Sequence, residues 1–421
     1  MFKKTILKNG LRIITIPMKN TKTVNFLVLV GVGSKYETKE INGISHFLEH
    51  MFFKGTKKRS NTLEIAETLD RVGGEYNAFT SNEMTGYWAK VASPHQDIAL
   101  EWVSDIFLNS KLETKEIERE KGVIIEELNM YLDTPVSYIS DLWEKVLYGN
   151  QPAGWRVIGE KENIQNMTRN KLVDYLKNHY TASNTIVCAA GDISPRLIED
   201  KIEKHFKKIS NIVHEQKIKV KEKQEKPESL VYFKETDQTH LCLGVRAYNL
   251  FHPQKYALIL LATILGGNMS SRLFIKIRER KGLAYYVRTS PESNTDTGCL
   301  VTSAGVDHKN VGEVIRLILK EYRFFKNNLI TKEELKKAKD YYKGNVFLSL
   351  ESSDSQSSFY TSQELLKKEI LSPNQIFKKI DRVTINDIKK VAEDIFKPKK
   401  LNLALIGPFK EKEKFNKLLK I

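Results

Sequence analysis

Residues 43–56 read Gly-Ile-Ser-His-Phe-Leu-Glu-His-Met-Phe-Phe-Lys-Gly-Thr. Within this stretch, His46, Glu49 and His50 form a His-x-x-Glu-His pattern. Because residues four apart share one face of a helix, His46 and His50 can present two imidazole nitrogens to one metal ion. Glu49 comes one residue before the second imidazole, close enough to act on a water molecule held there. Two imidazoles, a carboxylate and an open position are what a zinc hydrolase needs.

The alternative is that these residues belong to an ordinary buried helix. A histidine on an apolar face is more often a satisfied core residue than a metal ligand. However, burying two histidines and a glutamate side by side costs free energy unless a partner satisfies them. The pattern therefore favours metal chemistry on a helix whose other face is buried through its apolar residues Ile44, Phe47, Leu48, Met51 and Phe52.

A third ligand has to come from another segment, and the acidic stretch 113–132 is the best donor. Glu126 projects roughly opposite the apolar face of the predicted helix, at about 100° per residue, and we expect it to face solvent. Glu120 and Glu127 lie on the rim, two turns apart. Glu127 is the better metal ligand, and Glu120 the better auxiliary group behind the ligands. The predicted buried stripe consists of Ile117, Ile124, Leu128 and Tyr131.

These motifs make the chain resemble the pitrilysin-type, or M16, zinc metallopeptidases, and in particular the mitochondrial-processing-peptidase branch with its bacterial relatives. The resemblance rests on the inverted His-x-x-Glu-His motif and the distal glutamate, and it spans essentially the whole chain. It implies that one zinc ion per chain is bound by His46, His50 and Glu127. It also implies that Glu49 is the general base and that Glu120 is an auxiliary catalytic residue.

The organisation of the chain indicates two halves joined by a charged linker at residues 215–228. We predict a catalytic domain at 1–214 and a non-catalytic domain at 229–421 that contributes substrate-binding residues. Both are predicted to be α+β, each a mainly antiparallel sheet with helices on one face, which matches the LuxS/MPP-like metallohydrolase fold that the resemblance implies. The repeat pairs strand 24–30 with 240–245, strand 75–80 with 284–289, and the His-x-x-Glu-His helix with an apolar helix at 256–265.

Only the first half is predicted to be catalytic, because residues 256–265 contain no histidine or glutamate. The second half contains Arg278 and Tyr285, which could donate hydrogen bonds to a peptide carbonyl or a developing oxyanion. Read alone, they could equally be a solvated arginine and a packed tyrosine. The resemblance implies that both bind substrate near the zinc ion, with Tyr285 also assisting catalysis. It likewise implies that Asn77 and Ala78 lie on an edge strand that receives the substrate backbone.

Composition argues against several other classes. The formal net charge of +16 comes from lysines spread along 421 residues, without a basic cluster interleaved with aromatics, so we expect no nucleic acid partner. The longest apolar run, 256–265, is too short to cross a bilayer, so we expect no membrane association. Three widely spaced cysteines indicate a reducing compartment, and the cytoplasm is the expected location.

The sequence therefore predicts a zinc endopeptidase that acts on peptides or unfolded polypeptides. Larger M16 members close four such domains around a peptide, whereas this chain has two. By analogy we expect a homodimer, or else a heterodimer with a non-catalytic M16 paralogue, with Arg278 and Tyr285 acting across the subunit boundary. Two alternatives stay open, namely a non-catalytic partner subunit or scaffold and, on charge alone, a nucleic-acid-binding protein.

Overall fold

The computed structural model describes residues 2–212 and 216–421. The chain forms two compact units, each built from three segments. Unit 1 comprises Met1–Asn129, Arg156–Ile218 and Leu348–Leu371, and unit 2 comprises Met130–Trp155, Lys219–Phe347 and Ser372–Ile421. The predicted boundary at 214/215 lies outside the described residues. A linear division of the chain also differs from these units, because each half gives one helical segment to the unit formed mainly by the other half.

Fifteen α-helices lie within the described part of the chain. Those of the first half are α1 Ile44–Met51, α2 Thr62–Asp70, α3 Gln96–Asn109, α4 Thr114–Asp133, α5 Pro135–Tyr148, α6 Lys161–Gln165, α7 Arg169–His179 and α8 Pro195–Phe206. Those of the second half are α9 Lys255–Gly266, α10 Val311–Asn327, α11 Lys332–Ser349, α12 Ser353–Lys367, α13 Pro373–Asp381, α14 Ile385–Ile395 and α15 Glu413–Asn416. No helix in the described ranges is long and apolar enough to span a membrane.

Unit 1 is built on a six-stranded sheet in the order β1-β2-β6-β3-β5-β4. Neighbouring strands are antiparallel except for β2 and β6, which are parallel. The central strand β3 is buried along almost its whole length, whereas β4 is an edge strand. The strands are β1 Lys3–Ile6, β2 Arg12–Pro17, β3 Thr23–Val30, β4 Glu75–Thr80, β5 Thr85–Ala92 and β6 Thr185–Gly191.

Helices cover both faces of the unit 1 sheet. On one face, the ring of Tyr87 packs against Phe52, just after α1, and against Phe107 of α3. On the opposite face, Leu27 and its neighbours pack against Tyr360 of α12. The segment 348–371 thus supplies the second cover of this sheet, although it comes from the second half of the chain.

Unit 2 repeats this arrangement with five strands in the order β7-β11-β8-β10-β9, in which only β7 and β11 are parallel. Helix α5, from the first half of the chain, packs Leu142 and Trp143 against one face. Tyr322 of α10 contacts the other face, where its hydroxyl hydrogen-bonds Thr302 at 2.8 Å. The strands are β7 Glu228–Phe233, β8 Thr239–Arg246, β9 Ala284–Ser293, β10 Gly298–Val306 and β11 Leu401–Gly407.

The predicted fold class is confirmed, since both units are α+β with mostly antiparallel sheets. Helices α1, α3 and α8, all from the first half of the chain, lie on one face of the unit 1 sheet. The cover of the second face of each sheet by α12 and α5 was not predicted. Apolar periodicity within a segment does not say which sheet a helix packs against.

Candidate metal centre

Helix α1 divides its eight residues between the core and a cavity. The apolar side chains Ile44, Phe47, Leu48 and Met51 are buried, as predicted. His46 and His50 lie on the other side of the helix, where their side chains are only 11% and 21% exposed. The helical spacing brings the two imidazole rings to 4.7 Å between centroids, so one ligand can reach both.

Glu127 of α4 completes the group. Its Oε1 lies 3.6 Å from His46 Nε2, and its Oε2 lies 3.2 Å from His50 Nε2. One ligand atom from each of the three residues falls within 4.8 Å of the other two. Ligands about 2.1 Å from a tetrahedral zinc ion are about 3.4 Å apart, so these spacings and this nitrogen and oxygen donor set fit zinc. The three residues therefore form a group that can hold a metal ion.

Glu120 lies behind this group and orients one imidazole. Its Oε1 is 2.8 Å from His50 Nδ1, and its Oε2 is 2.6 Å from Lys54 Nζ. Because Glu120 accepts at Nδ1, His50 turns Nε2 towards the cavity, as outer carboxylates commonly do for metal-binding imidazoles. The Nδ1 of His46 differs, since it is buried and has no hydrogen-bond partner among the described residues.

The carboxylates around the imidazoles shift several pKa values in the metal-free protein. Burial lowers the pKa of His50, but hydrogen bonds and attraction from Glu120 and Glu127 outweigh burial and raise it to about 9. Burial raises the pKa of Glu127, but His46 and His50 outweigh it and lower the value to about 2. The site therefore favours a positive charge between its carboxylates, which a proton or a metal cation can supply.

Glu49 is linked directly to the edge strand β4. The hydroxyl of Thr80 donates a hydrogen bond of 2.6 Å to Glu49 Oε2. Asn77 and Ala78 lie on the same strand, where the N–H of Ala78 donates to Asn77 Oδ1 at 2.8 Å. An open cavity of about 370 Å³ joins these elements and is lined by His46, Glu49, His50, Phe53, Lys54, Tyr76, Asn77, Glu120 and Glu127.

Comparisons with known proteins identify the family. Residues 12–161 match the family model for insulinase (peptidase family M16), and residues 166–342 match that for the peptidase M16 inactive domain. The chain is 39% identical over 409 residues to the uncharacterized zinc protease YmxG of Bacillus subtilis. The aligned region covers 97% of this chain and 98% of the relative. It belongs to peptidase family M16. A second M16 relative, an uncharacterized zinc protease of Mycobacterium leprae, is 32% identical over 423 residues, or 99% of this chain and 94% of the relative.

Solved structures agree with this assignment. A protease from Helicobacter pylori is similar to the M16 chain with a TM-score of 0.88 and 25% identity, over 97% of this chain and 99% of that one. A peptidase M16 inactive domain from Pseudomonas fluorescens has the same TM-score of 0.88 at 17% identity, over 97% and 98% of the two chains. At that identity the second likeness supports the fold alone.

In unit 2 of this M16 chain, Arg278 and Tyr285 lie close together. Arg278 lies in a π-helix, Phe274–Glu279, and its guanidinium is 5.9 Å from the Tyr285 ring. Tyr285 is 74% exposed, so it is not a packed strand tyrosine. Within residues 2–212 and 216–421, neither side chain has a hydrogen bond or ion pair. Both are therefore available to a ligand, and their predicted role in substrate binding stays a prediction.

Sequence reasoning placed most of this centre, with one error and two omissions. Glu126 is exposed as predicted, but Tyr131 is 40% exposed and is not part of the buried stripe, because α4 passes from one unit to the other near its end. Lys54 could have been found, since it follows His50 by four residues. Thr80 could not, because only the packing of β4 beside α1 brings it to Glu49.

Proposed function

We propose that this chain is a zinc-dependent endopeptidase that hydrolyses peptide bonds in peptides or unfolded segments. One observation carries the proposal: the Nε2 atoms of His46 and His50 and the carboxylate of Glu127 converge at 3.6 and 3.2 Å beside an open cavity. Membership of family M16, whose relatives are named zinc proteases, supports it. Zinc is proposed as the metal, with one ion per chain.

When bound, zinc would polarise the scissile carbonyl and make water a stronger nucleophile at neutral pH. Glu49 takes a proton from the attacking water, whose oxygen bonds to the carbonyl carbon. The carbon–nitrogen bond then breaks, and Glu49 delivers the same proton to the leaving amine. The hydrogen bond from Thr80 leaves Glu49 Oε1 free of that contact and fixes the carboxylate at the end of β4.

The edge strand β4 is the proposed substrate-binding element. Among the residues that the structure describes it pairs only with β5, which leaves its outer edge for an extended peptide. Main-chain pairing provides affinity that depends little on the side chains of the peptide, which suits a substrate class of varied sequence. The Asn77 side chain now accepts from the N–H of Ala78, and an incoming carbonyl would replace it in that hydrogen bond.

The proposed assembly is a homodimer in which Arg278 and Tyr285 of one subunit complete the site of the other. Their exposed and unpaired side chains support a role in binding, and the guanidinium and phenol are donors suited to a charged transition state. In this proposal Tyr285 assists the reaction as well as binding, and Arg278 binds a substrate carbonyl.

The proposal is tested with zinc-loaded protein, a diverse peptide library and mass spectrometry, with and without a chelator. We expect internal cleavage that stops with chelator and returns with zinc. Glu127→Gln should lose both zinc and activity. Glu126→Gln, one residue away on the exposed side of α4, is the matched control and should retain both. Stoichiometric zinc without any cleavage would instead favour a non-catalytic partner subunit.

A further inference from the structure

The helix that carries both imidazoles lacks a capping side chain at its own start. Gly43 is the residue before α1, and the first turn contains no acidic residue. The first N–H groups of a helix have no partner within the helix and need an acceptor from elsewhere. In this chain the acceptor is Glu37, which precedes Gly43 by six residues and is only 1% exposed.

The Glu37 carboxylate receives three hydrogen bonds at this helix start. Its Oε2 accepts from the N–H of Gly43 at 2.7 Å and from Asn42 Nδ2 at 2.9 Å, and its Oε1 accepts from the N–H of Ser45 at 2.9 Å. Among the described residues, no cation forms an ion pair with Glu37. Burial raises the pKa of Glu37, while the three donors act in the opposite direction because they stabilise the ionised carboxylate.

His46 lies at this helix start. His46 directly follows Ser45 and belongs to the first turn of α1, and its Nδ1 has no outer hydrogen-bond partner in the described part of the chain. His50, in contrast, is oriented through Glu120. Because no outer partner among the described residues orients the His46 ring, the backbone of the first turn has a larger share in placing it.

The same turn is closely packed against residues 158 and 159. Gly43 has a φ of +96°, which favours glycine, and a Cβ there would lie 2.6 Å from the carbonyl oxygen of Ile158. The turn can therefore move little towards Ile158, and Glu37 accepts from its N–H groups. The same turn is also held by the hydrogen bond between the hydroxyls of Ser45 and Tyr175, at 2.9 Å, and by the burial of Ile44.

We propose that Glu37 is a positioning residue of the metal centre, whose buried carboxylate fixes the first turn of α1 and so places His46 Nε2 against His50 and Glu127. This inference rests on the proposed function, because it concerns the same metal site. It assigns control of metal binding to a side chain that contacts neither the cavity nor the ligands.

The test is Glu37→Gln, a replacement of equal size in which an amide NH₂ must face one of the donors. Zinc affinity is measured by chelator competition, and ligand geometry by the visible spectrum of the cobalt-substituted protein. We expect affinity to fall roughly 10- to 100-fold, as for other groups that orient metal ligands, with a changed cobalt spectrum and unchanged circular dichroism.

The matched control is Glu364→Gln. Glu364 is a carboxylate of unit 1 that is 4% exposed, accepts from Lys4 at 3.0 Å and does not line the cavity. We expect this variant to lose thermal stability while it keeps zinc affinity and the cobalt spectrum. A purely structural role for Glu37 would make the two variants alike in zinc affinity and in cobalt spectrum.

The outcomes separate the two proposals. Wild-type protein that takes up no zinc overturns both. If the wild-type protein binds zinc, two results overturn the role of Glu37 alone. One is a zinc affinity of Glu37→Gln equal to that of the wild type. The other is a zinc affinity of Glu364→Gln that falls as much as that of Glu37→Gln. Should Glu37→Gln fail to fold, Glu37→Asp is used, whose shorter side chain cannot reach all three donors. We expect the zinc affinity of Glu37→Asp to fall below that of the wild type, and affinity equal to wild type overturns the inference.

Discussion

Helices α1 and α9 occupy matching places in the two units and use their residues differently. Each follows the central strand of its sheet, β3 or β8, in sheets whose strand orders correspond. α9 has twelve residues, nine of them buried, and contains no histidine, cysteine, aspartate or glutamate. α1 is shorter and gives one side to His46, Glu49 and His50. The same arrangement of strands therefore supports either a helix that only packs or one that also presents side chains able to bind a metal ion.

The comparison extends to the helices that the halves exchange. α5 meets the unit 2 sheet through large apolar side chains, whereas α12 meets the unit 1 sheet with several small polar ones, among them the buried Ser353, Ser357 and Thr361. Ser357 accepts a hydrogen bond from the buried Asn25 at 2.9 Å. The contact of α5 with its sheet is thus mainly apolar, whereas α12 adds buried polar contacts to apolar ones such as that of Tyr360.

The largest expected effect separates chemistry in α1 from packing in α9. Glu49→Gln should lower peptide hydrolysis about 10²- to 10⁴-fold with zinc content and stability unchanged, because it removes the proposed general base and little else. Leu261→Ala in α9, at 0% exposure, should instead cost about 2–5 kcal/mol of unfolding free energy and leave zinc content unchanged. Peptidase assays, metal analysis and denaturant unfolding check both, and an undiminished rate in Glu49→Gln would remove it as the base.

A second prediction concerns the proposed homodimer, in which unit 2 of one subunit completes the site of the other. Glu49→Gln and Tyr285→Phe proteins should each be weakly active alone. When they are mixed, activity should rise to at most about a quarter of wild type, since half of the dimers of a random mixture are mixed and each has one complete site. Differently tagged subunits purified together verify that mixed dimers form. Verified mixed dimers without recovery would contradict a site shared between subunits.

The exchanged helices should differ in how substitutions affect stability. Leu142→Ala in α5 removes buried apolar volume and should cost about 2–5 kcal/mol. Ser357→Ala in α12 leaves Asn25 without its partner and should cost about 1–3 kcal/mol. Denaturant unfolding of each variant measures both. The double variant Asn25→Ala with Ser357→Ala should cost less than the sum of the single changes, because both remove the same hydrogen bond, and simple additivity would argue against that contact.

The smallest effect concerns pH in the metal-free protein. The pKa of His50 is raised from 6.5 to about 9, so the stability it contributes is fully present below pH 6.5 and is lost as pH rises through about 9. The pKa of Glu127 is lowered from 4.5 to about 2, so its contribution is present above pH 4.5 and is lost as pH falls through about 2. Thermal unfolding from pH 6 to about 10 should therefore show a decline relative to Glu127→Gln.

Zinc provides the control for this pH effect. A ligating imidazole is neutral, so zinc-loaded protein should lack the decline on the basic side. Equal pH dependence in the metal-free wild type and in Glu127→Gln would show that the pair of His50 and Glu127 contributes nothing measurable.

Much of the candidate site could be predicted because its information is local. His46, Glu49 and His50 lie within one helical turn, and the choice of Glu127 over Glu126 follows from the buried stripe of a single helix. The contact between Glu120 and His50 follows once Glu127 is a neighbour, since residues seven apart lie on the same side. The prediction that Tyr131 is buried was wrong because it needed information from outside the helix. Near the end of α4 the chain passes from unit 1 to unit 2, and periodicity carries no information about that change.

The sequence alone determined the family, the α+β class and which side chains of α1 and α4 can bind a metal, because helical periodicity converts spacing into direction. Only the tertiary structure decided which helix covers which sheet, how Thr80 reaches Glu49, and that Glu37 supplies the missing acceptor at the start of α1. These contacts join segments whose proximity depends on the packing of whole sheets. Burial then makes them necessary, because a polar group removed from water must find its partner within the fold.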